Sequence, residues 1–124
     1  MPEDKVLARL TSICLALPEA VANDQHPPHR CFVVANKNFA WYTVNEHGSD
    51  RIALGVRADG KDNEALVASD PERFELPKYM ARHGWVNYFL DVRGRRVDWA
   101  EVDELVRDSY LIQAPRRLAR LVTD

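Results

Sequence analysis

A chain of 124 residues, 46% apolar and 29% charged, has room for one domain with its own core. Its 17 Lys+Arg against 19 Asp+Glu leave a net charge of −2, which excludes a protein held on polyanions by overall charge. No apolar run approaches the roughly 20 residues that span a bilayer, and Met1-Pro2-Glu3-Asp4 is unlike a secretory signal, so a cytoplasmic protein with no membrane partner is expected.

The elements follow in chain order. Val6, Leu7, Leu10, Ile13, Cys14 and Leu17 recur at helical spacing, and Pro18 stops that first helix. Cys14 falls within the apolar stripe and reads as a core residue. A disulfide to Cys31 is not expected in a cytosolic chain. Residues 23–30 read as a polar, proline-bearing loop. Residues 31–35 and 39–44 are rich in β-branched and aromatic side chains and read as strands, with a turn over Asn36-Lys37-Asn38. A second turn over 45–50 leads to a third strand, 51–57. Ile52, Leu54 and Val56 share one face of it; Arg51, Ala53, Gly55 and Arg57 share the other, expected to be partly wet.

Residues 62–68 read as a short helix ended by Ser69-Asp70-Pro71. Residues 73–82 read as irregular, with one helical turn over Lys78 to Ala81. A fourth strand covers 85–92, and Arg93-Gly94-Arg95-Arg96 turns the chain. Asp98 and Glu101 have the spacing of an N-cap and a residue that reaches back to it. Trp99, Val102, Leu105, Val106 and Tyr110 give the following helix a packed face. Pro115 opens a last short helix with Leu118, Leu121 and Val122 apolar. This order predicts a single α+β domain over residues 1–124: a two-layer sandwich, an antiparallel sheet with helices on one face.

Several of these segments together resemble the MmcQ/YjbR-like family. They are Leu17-Pro18-Glu19-Ala20, Lys37-Asn38-Phe39-Ala40, Gly84-Trp85-Val86, Val97-Asp98-Trp99, Ser109-Tyr110 and Ala114-Pro115, in the family's order and spacing. Where the family usually carries Leu-x-Leu-Lys, this chain has Leu54-Gly55-Val56-Arg57, which keeps the charge. The resemblance implies a CyaY-like (frataxin-like) fold and a DNA-binding domain with a double-wing arrangement of hairpins. The iron chemistry of that fold group is not carried over. It wants a carboxylate-rich first helix, and here Glu3 and Asp4 are followed by Lys5 and Arg9.

The chemistry-bearing residues allow two readings. In the first, the protein binds DNA without catalysis. Arginine's planar fork suits phosphate, and Arg93, Arg95 and Arg96 crowd one turn while Arg116 and Arg117 open the last helix. With Lys37 and Arg57 they would contact the duplex backbone beside the wet sheet face. Asp91, Asp98, Glu101 and Asp103 lie close enough in sequence to neutralise the first cluster. In the second reading the chain is a protein- or small-ligand-binding module. Its candidate cleft residues are Tyr79 and Trp85, near Lys37. Trp41, Tyr42, Tyr88 and Trp99 complete an aromatic set that serves either as core anchors or as stacking platforms for unpaired bases.

No enzyme is expected. Ser109 has no base that the sequence places beside it, and its neighbour Tyr110 reads as a lock between helix and sheet. No cofactor is implied, since the glycines are isolated. His26, His29 and Cys31 match no zinc spacing, even with His47 or His83 added. Nothing in the residues calls for an oligomer, and a monomer is the expectation.

Overall fold

A computed structural model describes residues 2–45 and 48–123. Four helices, α1 (Pro2–Leu15), α2 (Asp62–Ser69), α3 (Trp99–Gln113) and α4 (Arg116–Thr123), accompany six strands. The strands are β1 (Val21–Asn23), β2 (Arg30–Val34), β3 (Lys37–Val44), β4 (Ile52–Arg57), β5 (Phe74–Glu75) and β6 (Trp85–Phe89). They form one sheet in the order β1-β2-β3-β4-β6-β5, every neighbour antiparallel.

One face of the sheet carries the core. Phe32, Ala40, Tyr42, Leu54, Val56, Val86 and Tyr88 are buried against Leu10 and Cys14 of α1 and Val102, Val106 and Tyr110 of α3. These sheet residues alternate along each strand, as a half-covered pleated surface requires. Burial pushes the Cys14 thiol well above its ordinary range. Both cysteines are free.

Several boundaries differ from the sequence reading. The β2–β3 turn is Ala35-Asn36, not 36–38. Val34 pairs with Lys37, and the two residues between them have φ of 49° and 65°, the mark of a two-residue hairpin turn. β3 therefore begins at Lys37 rather than 39; β2 begins one residue earlier than expected, at Arg30, and β4 one later, at Ile52. The fourth predicted strand ends at Phe89 rather than 92. The 23–30 loop is preceded by an edge strand, β1, and the irregular 73–82 segment holds β5. Its helical turn lies at Ala81–His83 rather than at 78–81. Asp98 caps α3 as expected, its carboxylate accepting from the Glu101 N–H at 3.2 Å. Glu101 does not return the bond, because the Asp98 N–H donates to the Tyr88 hydroxyl at 3.1 Å.

The Ser109-Tyr110 pair locks α3 to the rest of the domain. The β3–β4 ladder ends at Ala40–Val56. One step further, Ser109 bridges the strands: its hydroxyl donates to the Phe39 carbonyl at 2.6 Å and accepts from the Arg57 N–H at 2.9 Å. Four residues along the same helix face, Gln113 donates to the Asn38 carbonyl and accepts from Arg57, both at 2.9 Å. Tyr110 donates to the Pro18 carbonyl at 2.6 Å, which fixes the end of the first helical segment.

Candidate functional site

The predicted basic residues do not share one surface. Antiparallel pairing places Lys37 and Arg57 at the sheet end where β3 starts and β4 finishes. The turn holding Arg93, Arg95 and Arg96 follows β6, which ends beside Ala53 near the start of β4. The two groups are roughly 15 Å apart along the strands.

Their partners also differ from expectation. Arg95 pairs with Asp70 at 2.8 Å and Glu72 at 3.1 Å, from the α2–β5 connection, and not with its sequence neighbours. Asp91 is taken by Arg51 at 3.0 Å, and Asp103 by Arg107 at 3.5 Å. Arg117 forms a two-pronged pair with Glu19 at 2.8 and 3.2 Å. Hydrogen bonding from Arg95 and Arg117 holds the Asp70 and Glu19 carboxyls below their ordinary range. Arg57 is half-buried and tied to Gln113, so it serves the fold and is not an outward charge. Lys37, Arg93, Arg96 and Arg116 are exposed, with no ion pair among the described residues.

The sheet face opposite the helices is less wet than the alternation predicts. Ala53 and Gly55 are buried there. Trp41 lies across Gly55 and stacks on Trp85, ring centroids 4.3 Å apart and 9° from parallel. A Cβ at Gly55 would meet Asn87 Oδ1 at 3.3 Å and the Trp41 ring at 3.4 Å, so the bare glycine makes room for the stack. Register puts Trp41, Gly55, Asn87 and Glu75 in one row across four strands.

Beside this row the 76–80 segment rises over the sheet and leaves a hollow of about 340 Å³. Trp41, Ala53, Asn87 and Phe89 belong to its sheet side, and Leu76, Lys78 and Tyr79 to its outer wall. Tyr79 is 68% exposed. Arg51 sits over the Phe89 ring at 3.8 Å, held there by Asp91. The Trp41 indole N–H is buried with no hydrogen-bond partner among the described residues.

Of the predicted cleft residues, Tyr79 lines this hollow. Trp85 does not: it is 4% exposed and forms the support beneath Trp41. Lys37 lies at the hairpin tip, away from it. Trp41 and Asn87 were missed as cleft residues, because only strand register brings them beside each other. Ser109 offers no nucleophile, since its proton and an acceptor lone pair are both committed to backbone. His29 Nδ1 accepts from the Val44 N–H at 3.1 Å, which ties the loop to β3. His47 lies outside the described residues. Among those described, no cluster of three His, Cys, Asp or Glu stands close enough to hold a metal ion, and no helix is long and apolar enough to cross a membrane.

A six-stranded antiparallel sheet with α1 and α3 packed on one face defines a two-layer α+β protein. The YjbR family profile matches residues 15–112, most of the chain, and the protein belongs to the YjbR family. No curated relative matches. The crystal structure of Deinococcus radiodurans protein DR2400, described as a DUF419 domain, is similar in fold. It superposes with a TM-score of 0.71 at 19% identity, over 94% of this chain and 86% of that one.

Proposed function

We propose that this YjbR-family chain is a non-catalytic binding protein whose ligand sits in the open-face hollow beside Trp41. The observation that carries the reading is the hollow itself. At about 340 Å³ it falls within the range of small-molecule sites. Its walls mix aromatic and aliphatic surface, from Trp41, Leu76, Tyr79 and Phe89, with polar groups, Thr43, Asn87, Glu75 and Lys78 among them, that can orient a guest. The ring surfaces favour a flat ligand, and with Arg51 engaged by Asp91, Lys78 and Glu75 are the charged groups left to meet polar groups on it.

The test is a titration with 8-anilinonaphthalene-1-sulfonate and with nucleoside monophosphates, read by probe and tryptophan fluorescence. Saturable binding that weakens about tenfold in Tyr79→Ser and Asn87→Ala supports the site. Binding that both variants leave unchanged sends the ligand elsewhere.

A second reading, duplex DNA, is supported by Lys37, Arg93, Arg96 and Arg116, which are exposed and have no ion pair among the described residues. Lys37 at one end of the sheet, Arg93 and Arg96 at the other and Arg116 on α4 suit backbone contacts without base readout. Fluorescence anisotropy of labelled duplex across a salt series tests it. Replacing all four residues by Ala is expected to lower the salt slope by up to about four units. No binding at low salt removes the reading.

A further inference from the structure

A groove on the helical side of the molecule is unaccounted for by either reading. It lies between α2 and α3, with a volume of about 670 Å³. One stripe of α3 forms a long wall: residues 101, 104, 105, 108, 111 and 112 recur at helical spacing. Leu105, Leu111 and Ile112 from this wall and Ala65 and Leu66 of α2 give the groove an apolar floor. Ile112 remains 36% exposed.

The charge around it is one-sided. Asp59, Asp62, Glu101, Glu104 and Asp108 line it, Arg57 is the one cation among its described lining residues, and that guanidinium is already tied to Gln113. None of the five carboxylates has a salt bridge among the described residues. Burial and the neighbouring Asp98 raise the Glu101 carboxyl above its ordinary range, the direction expected where negative charge is poorly compensated.

The complementary surface is on the same chain. The outward face of α4 carries Arg116, Arg117, Arg120 and Leu121, contiguous at helical spacing and all exposed. Leu121 is 67% exposed, while Leu118 of the same helix is buried in the protein's own core. Arg117 is engaged by Glu19, whereas Arg116 and Arg120 have no ion pair among the described residues. Lengths match too: eight residues of α4 span roughly 12 Å, and the α3 wall from 101 to 112 spans roughly 16 Å.

We propose that the acidic, apolar groove between α2 and α3 receives helix α4 of a second copy of this chain, Leu121 seated on Leu105 and Ile112 and Arg116 and Arg120 facing the groove carboxylates. This is a helix-in-groove contact with charge setting its direction. It departs from the monomer expected from the sequence. A two-turn helix buries little surface, so the association is weak, visible at roughly tens to hundreds of micromolar and lost in high salt.

Sedimentation velocity over a concentration series, at low and high salt, tests the proposal. Wild type is expected to self-associate reversibly at low salt. Leu121→Asp, the helix variant Arg116→Glu/Arg120→Glu and the groove variant Glu104→Lys/Asp108→Lys are each expected to stay monomeric. All these positions are exposed, so folding is preserved, and circular dichroism checks it. Mixing the helix and groove variants is expected to restore association, because the reversed charges match again. Three results overturn the proposal. One is a wild type that stays monomeric at every concentration. Another is self-association that Leu121→Asp leaves intact, and the third is a failure of the mixed variants to associate. In the first case, binding of a synthetic Lys/Leu amphipathic helix by the monomer would assign the groove to another protein's helix.

Discussion

Ser109→Ala tests the α3 lock most directly. Ser109 has no exposed surface, and its hydroxyl joins the Phe39 carbonyl to the Arg57 N–H where the β3–β4 ladder has ended. Alanine keeps the backbone and the helix propensity but leaves one buried donor and one buried acceptor unmet. Each such orphan costs about 1–3 kcal/mol, so the expected loss is about 2–4 kcal/mol after partial relaxation. For a chain of 124 residues that lowers the melting temperature by roughly 10 °C. Urea unfolding followed by tryptophan fluorescence should show a lower midpoint at unchanged slope, since the surface exposed on unfolding is the same. Tyr110→Phe is the control. It removes one hydroxyl, bonded to the Pro18 carbonyl at 2.6 Å, and keeps the ring that packs edge-on against Phe39. It should cost about 1 kcal/mol. If Ser109→Ala proves no more destabilising than Tyr110→Phe, the bridging role is wrong.

Other positions carry predictions of their own. Arg73 is 2% exposed and donates to the carbonyls of Phe89 at 2.9 Å and Arg96 at 2.7 Å, so Arg73→Met should cost about 2–4 kcal/mol in urea unfolding, with Arg73→Lys intermediate. Gly84 has φ of 92°, and an added Cβ would lie 2.6 Å from the Ala58 carbonyl oxygen. Gly84→Ala should therefore lose more than about 2 kcal/mol, where an ordinary surface Gly→Ala change is near neutral in a thermal melt. Asp70 and Glu19 are held below their ordinary range by Arg95 and Arg117. Their contribution is complete above the unfolded carboxylate pKa of about 4 and disappears as pH falls through the lower folded value. Thermal melts from neutral to strongly acid pH should show Arg95→Gln and Arg117→Gln flattening the acid limb, and high salt should do the same.

What the sequence made legible was what short-range periodicity encodes. The stripe from Val6 to Leu17, the alternation through Ile52, Leu54 and Val56, and the Asp98 cap each declare an element within a few residues. β1 and β5 are three and two residues long, too short for any period to register, and exist because β2 and β6 offer them an edge. Charge partners were illegible for a different reason. Arg95 finds Asp70 and Glu72, and Arg117 finds Glu19, across long stretches of chain, while nearby Asp91 and Asp98 are used by Arg51 and the α3 N-terminus. Proximity in sequence says little about which carboxylate a surface arginine meets once the chain is folded.

The open sheet face shows how the two limits combine. Trp41 reads as either a core anchor or a stacking platform and Trp85 as a cleft residue; both are largely packed, yet their packing surface is each other and a bare Gly55 rather than a helix. A sheet face covered by neither helix nor second sheet ordinarily carries polar, solvated side chains. Here Ala53, Phe89 and Val92 form a small second cluster on the far side from the main core, and the 76–80 segment closes part of the same face. The placement of this apolar surface around a hollow, with a buried indole N–H that has no partner among the described residues, is the arrangement on which the proposed binding site rests.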